Sequence, residues 1–260
     1  MDGALRTILS RFTFLSTWLQ NVYVTWEYLL SLGLVANKTP LLILGHNVTQ
    51  STDPGEPCWT PSSVYAWPTA DQTLKVSSSF ASDTLLGGGA QTIRIWWLNA
   101  AGVESTTDVN MNGGALVVSA AVTARRVNRV EVVAAGSSGF NNGVITVYAT
   151  DGVTPLYEME PGFGFGNSAI QTVPAGKRDV ICRFHLQGWS TSISNALFIR
   201  YRTAPGLPWK SIGGRSLWEY EVEVVFDVPL RFDAGTDYYV TGGGTSGQVS
   251  TVLEGWRESA

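Results

Sequence analysis

The residue types that do chemistry are present in this chain, but their spacing does not bring them together. A zinc site needs about four Cys, His or carboxylate ligands at close spacing. His46 and His185 are far apart, and Cys58 and Cys182 are the only cysteines. Each histidine reads as a structural one. Glycan hydrolysis needs two carboxylates facing across a cleft. Glu158 and Glu160 flank Met159, so on a strand they share one face. Glu219, Glu221 and Glu223 also project to one side, opposite Tyr220, Val222 and Val224. Like charges in a row repel unless water or basic groups meet them. The row reads as a solvated outer face, with an inter-subunit ion-pair strip as the sharper alternative. Asp227, Asp233 and Asp237 are spaced to reach one calcium ion, but the twelve-residue EF-hand order is missing. Gly136-Ser137-Ser138-Gly139 is one residue short of a nucleophile elbow. Gly87-Gly88-Gly89 precedes a strand, and no G-K-[ST] follows it as a phosphate loop requires. No catalytic residue, cofactor or metal ligand is assigned.

The aromatics carry more. Trp59, Trp67, Trp96, Trp97, Trp189, Trp209 and Trp218 spread over the central and C-terminal parts of the chain. Adjacent Trp96 and Trp97 must point to opposite faces of a strand. One fills a core. The other needs a second layer, a neighbouring chain or a ligand to cover it. Core and interface are the favoured settings, with stacking on sugar rings as the alternative. Trp96 and Trp97 are therefore candidates for a subunit contact.

Short strand-like runs alternating with glycine-rich turns must position these residues. Gln91–Leu98, Val103–Val109, Val127–Val133 and Gly143–Tyr148 form a first series over 73–160. Asp179–Leu186, Ala196–Arg202, Leu217–Phe226, Asp237–Val240 and Gln248–Glu254 form a second over 161–260. About five strands in some ninety residues fit a sandwich or jelly roll. Pro174-Ala175-Gly176 and Asp233-Ala234-Gly235 echo one another as tight turns feeding strands. Residues 37–72, rich in proline and glycine around a short Leu41–Leu44 run, read as an irregular connector.

Residues 1–36 have a different period. Leu5, Ile8, Leu9, Phe12, Leu15, Leu19, Val22, Trp26, Leu29 and Leu30 recur at three- and four-residue spacing, which predicts a helix. Leu15, Trp18, Leu19, Trp26 and Leu29 are its candidate docking face. Val22–Tyr28 conflicts with that reading. Its β-branched and aromatic residues favour a break or a strand. Gln20, Asn21 and Glu27 in the middle weigh against a membrane span.

Charged residues make up 15% of the 260 and the net charge is −4. About a quarter is usual for a soluble domain. So low a charge suggests surface that a partner covers. The acidic balance gives no reason to expect direct binding to nucleic acid or an acidic membrane. Arg125, Arg126 and Arg129 cluster, and read as a solvated turn and strand edge.

Several motifs follow in a recognisable order. They are Val35-Ala36-Asn37-Lys38, Leu44-Gly45-His46-Asn47, Tyr65-Ala66-Trp67-Pro68, Leu74–Asp83, Val127-Asn128-Arg129, Ala135–Gly139 with Asn141-Asn142-Gly143, and Thr172–Gly176. The series resembles a group of tailed-phage virion structural proteins, marine and cyanobacterial phages above all, over roughly residues 33–257. Trp96-Trp97 stands where less bulky residues are usual in that group. The resemblance implies a particle component and supplies no catalytic residue.

The expectation is thus a mainly β chain. An N-terminal helical docking segment (1–36) and a connector (37–72) precede two antiparallel sandwich or jelly-roll blocks (73–160 and 161–260). Its expected role is non-enzymatic, in a virion, as a capsid-associated decoration or cement protein. Its partners would be copies of itself and other capsid, neck or tail proteins. A neck or tail component (fibre or adaptor), or a module binding a host surface glycan, is the alternative.

Overall fold

A computed structural model describes residues 32–50, 56–119, 123–189, 195–217, 221–243 and 247–260. Its strands are β1 (Lys38–Gln50), β2 (Lys75–Ser78), β3 (Ala90–Leu98), β4 (Glu104–Asn110), β5 (Val117–Val118), β6 (Arg126–Ala135), β7 (Ile145–Tyr148) and β8 (Pro155–Met159). Then come β9 (Ile170–Thr172), β10 (Lys177–Trp189), β11 (Asn195–Arg202), β12 (Lys210–Leu217), β13 (Glu221–Asp233), β14 (Asp237–Gly243) and β15 (Gly247–Ser259).

The strand segments follow the alternation in the sequence. In β3, Ile93 and Ile95 point inward while Thr92, Arg94 and Trp96 point out. Asn99 closes the β3–β4 hairpin. Its Oδ1 accepts from the amides of Ala101 (2.9 Å) and Val103 (3.0 Å), an Asx turn. The echoed turns also form. Gly176 and Gly235 take φ of +70° and +80° and lead into β10 and β14, a backbone region open to glycine at little cost.

The described chain has no helix, and its pairing corrects the expected architecture. The strands form four small antiparallel sheets, a propeller-like set in place of two sandwich or jelly-roll blocks. Their orders are β1-β15-β10-β13, β12-β11-β14-β9, β5-β2-β7-β8 and β4-β3-β6. The predicted N-terminal helix falls on residues 1–31, outside the described residues, except for 32–36, which are turn. The stretch read as an irregular connector contains β1, thirteen residues long, paired along β15. Pro40 and Gly45 hide this strand from a propensity reading. The proline fits a strand that is outermost in its sheet among the described strands.

One core gathers Leu74, Val76, Ile93, Ile95, Val130, Ile145 and their neighbours, all between residues 74 and 159. A second gathers Ile181, Phe184, Leu186, Tyr238, Val240 and Leu253, joined by Ile43 and Cys58 from the N-terminal side. A small aromatic cluster of Trp59, Tyr65, Ile170 and Tyr239 takes Trp67 and Trp209 against it.

Candidate assembly surface

Trp96 and Trp97 diverge as strand geometry requires. Trp97 packs against the first core, and its buried indole N–H has no hydrogen-bond partner among the described residues. Trp96 turns outward, where the Arg129 guanidinium from β6 lies 4.8 Å from its ring and that of Arg94 lies 6.0 Å away. Cation–π contact of this kind holds the indole without hiding it. Leu15, Trp18, Leu19, Trp26 and Leu29 lie outside the described residues.

Trp96 lines a groove of about 890 Å³. It is lined by the turn at 33–37 and the first half of β1, and also by Arg129, Phe165 and Gln171. The groove runs along β1, which among the described strands pairs with β15 alone. The His46 amide donates to the Asn167 carbonyl at 3.0 Å rather than to β15. In an antiparallel ladder successive residues alternate between the two sides. Leu42 and Leu44 therefore turn their N–H and C=O groups away from β15, and Leu41 and Ile43 turn theirs toward it. Pro40 has no N–H to offer there. Leu42 is 60% exposed.

At the other end of the same sheet, among the described strands, lies β13. Val224, Phe226 and Leu230 pack against the second core. Val225, on the opposite face, is 60% exposed, and Val228, inside the bulge, is 81% exposed. Ile181 pairs with Leu230 and Arg183 with Val225, so the strand bulges between them. A bulge with a proline, Pro229, is a common guard on an edge strand.

Of the predicted acidic row, Glu219 lies outside the described residues, and Glu223 on β13 meets a basic group within the chain. Glu223 lies 3.1 Å from Arg183, which also reaches Glu254 at 3.5 Å. The three spaced aspartates do not converge. Asp233 is paired with Arg178 at 2.7 Å, and Asp237 is buried against Arg126 and Arg202. Among the described residues no three His, Cys, Asp or Glu side chains come together as metal ligands. Glu158 accepts from the Thr146 hydroxyl at 3.0 Å. Glu160 accepts from Nδ1 of His46 at 2.7 Å. The His46 Nε2 then accepts from the Gln248 amide, 2.7 Å away.

The solvated reading of the arginine cluster fails for one member. Arg126 is buried, and its Nε and Nη2 donate to the two Asp237 oxygens at 3.0 Å each. Arg202 donates to the same carboxylate at 2.7 Å, and the Thr172 hydroxyl at 2.6 Å. The guanidinium of Arg202 also lies 5.0 Å from the Trp67 ring and 4.6 Å from that of Trp209. Sequence spacing carries no sign of this cluster, because its members come from β6, β9, β11, β14 and two loops. Asp179 is held in the same manner by Arg257 (2.6 Å) and the Tyr238 hydroxyl (2.8 Å). Burial, with the nearby Asp179 charge, pushes the Tyr238 hydroxyl well above its ordinary range.

No family model and no curated protein matches the chain. Among solved structures, the infectious bursal disease virus VP2 subviral particle aligns at 10% identity. The alignment covers 87% of this chain and 78% of that one, with a TM-score of 0.18. Infectious bursal virus derived T=1 particles align at 11% identity over 86% and 74%, with a TM-score of 0.13. Scores this low carry no argument about fold or role.

Proposed function

We propose that this chain is a non-enzymatic structural component of a virus particle, held there by contacts with copies of itself and with other particle proteins. The observation that carries the reading is the outer face of β13. Val225 and Val228 sit exposed on β13, a long strand that is the outermost of its sheet among the described strands. An exposed apolar edge invites pairing with another chain, and a partner that covers it accounts for the low overall charge. The ordered motif series that resembles tailed-phage virion proteins points the same way.

Within the particle we place the chain on the capsid, as a decoration or cement protein. The neck or tail is the competing position. Densitometry of purified particles against the major shell protein separates them. Hundreds of copies fit decoration, tens fit a neck or tail component, and absence from the particle ends the proposal. Sugar recognition has less support. A stacking platform needs open aromatic faces, whereas guanidiniums lie against the rings of Trp67, Trp96 and Trp209.

A further inference from the structure

Leu86 is both strained and unburied. Its φ is +74°, in the backbone region that penalises a bulky side chain, and it is 91% exposed. The Gly87 amide donates to the Thr84 carbonyl at 2.7 Å, which closes a four-residue turn with Leu86 third. A turn with positive φ at that position alone is of type II, and glycine is its usual occupant there. Glycine at 86 would relieve the strain, and the exposed leucine adds no packing in exchange. Strain kept at such a position points to a role outside the monomer.

Two loops carry this residue and its apolar neighbours. Loop 79–89 joins β2 to β3, and loop 136–144 joins β6 to β7. Ser78 pairs with Ile145 and Ala90 with Ala135, so both loops leave their sheets at the same end. They are also bonded to each other. Ser138 donates its amide (2.9 Å) and hydroxyl (2.6 Å) to the Gly88 carbonyl. The Gly136 amide donates to the Gly89 carbonyl at 2.8 Å, and Asn142 Nδ2 to the Ser82 hydroxyl at 2.7 Å. A Cβ at Gly143 would lie 2.7 Å from that of Phe80, and one at Gly87 would lie 2.1 Å from the Ser82 carbonyl oxygen. On this tight frame Phe80, Leu85, Leu86 and Phe140 are all exposed. Asp83 is the sole ionisable residue of either loop, and it is buried.

We propose that this tip is a membrane-contact site, and that Phe80, Leu85, Leu86 and Phe140 enter the headgroup and upper acyl region of a lipid bilayer. Exposed apolar patches mark protein or membrane contacts, and two observations favour lipid. The four residues offer on the order of 400 Å² of apolar surface, about half of the ~800 Å² that each partner buries in a stable protein interface. The tip also has no exposed charge with which to select a protein partner. A bilayer needs no such match, and binding to it scales with the apolar area buried. The loops' serines, asparagines and glycines suit the polar headgroup layer. Without basic groups the site fits a zwitterionic lipid such as phosphatidylcholine.

Flotation of the full-length chain with phosphatidylcholine vesicles tests this. The parent should float at millimolar lipid, equally in low and high salt, since no charge takes part. Leu86→Gly should melt no lower than the parent, because glycine relieves the turn. It should also bind about tenfold more weakly or worse, as one leucine is no longer buried in lipid. Phe140→Ser should weaken binding in the same way. A parent that stays out of the vesicle fraction overturns the proposal, as does binding that needs anionic lipid or fades in salt. Leu86→Gly that melts lower would assign the leucine to the monomer's own packing, and unchanged binding by that variant would place lipid contact elsewhere; either result overturns the proposal. Sedimentation without lipid covers the remaining occupant. If Leu86→Gly abolishes self-association of the parent there and leaves flotation intact, a second copy covers the tip and the proposal fails. None of these results depends on β13 or on where the protein sits in a particle.

Discussion

Arg126 and Asp237 lie 111 residues apart in sequence and meet in a two-pronged ion pair, with both side chains buried. Arg126 begins β6, next to Val127 of the first core. Asp237 begins β14, next to Tyr238 of the second. The pair therefore fixes one core against the other. His46 and Glu160 do the same at another point, since β1 serves the second core and Glu160 follows the last residue of β8. Such bridges link two cores that each close mostly on their own strands.

Asp237→Asn should be the costliest change at this junction. It leaves two guanidiniums facing a neutral amide in a buried place, and breaking a buried pair costs about 3–5 kcal/mol. Arg126→Met should cost less, because Arg202 still holds the carboxylate. Denaturant titration of both variants gives the order. Equal, small losses would mean that the junction is held by something else.

Asp83 has a comparable role inside the first unit. Its oxygens accept from the amides of Ala90, Asn142 and Gly143, each at 2.8 Å, and from the Ser78 hydroxyl at 2.5 Å. Asp83→Ala strands three backbone donors, each worth about 1–3 kcal/mol when buried and unpaired. A loss of roughly 3 kcal/mol or more is expected by chemical denaturation. A loss under about 1 kcal/mol would show that water replaces the carboxylate freely. Gly89→Ala should fail for the same geometry, since a Cβ there would lie 2.0 Å from Asp83 Oδ1.

That last contact explains a motif whose purpose the residues alone do not reveal. Gly87-Gly88-Gly89 is legible as something other than a phosphate loop, but the need for glycine at 89 comes from Asp83 and Asn142, which fold back on it. The strands themselves were legible wherever apolar and polar residues alternate, as in β3, β6 and β10. Their pairing was not. β1 lies beside β15 and β10 beside β13, and alternation records which face is buried, not which neighbour is bonded. The inward turn of Arg126 was hidden for a like reason. An arginine beside two others reads as surface until the distant Asp237 that neutralises it is known.

The outer face of β13 should be dispensable for folding and needed for association. Val225→Lys and Val228→Glu alter exposed positions, where substitutions usually change stability by under about 0.5 kcal/mol. Both variants should melt with the parent. Sedimentation at high concentration, and incorporation into particles, should show weaker association. Unchanged incorporation of the double variant would move the assembly surface elsewhere on the molecule.

Glu158 gives the fold a pH dependence with a definite sign. Burial raises its carboxyl above the ordinary value, the Thr146 hydroxyl opposes this, and the charge of Glu160 adds to it. The folded chain thus binds this proton more tightly than the unfolded chain does. The contribution favours the fold fully below the unfolded carboxyl range, near pH 4.3, and is lost as pH rises through the higher folded value. At neutral pH the side chain is a half-buried carboxylate that the fold tolerates at a cost. Glu158→Gln removes the charge and keeps an oxygen for Thr146. Its thermal midpoint should exceed the parent's at pH 7, and the gap should close as the pH falls below about 4. Melting curves at a series of pH values read this directly. A gap that stayed constant with pH would mean that the glutamine acts through packing and that the carboxylate carries no such penalty.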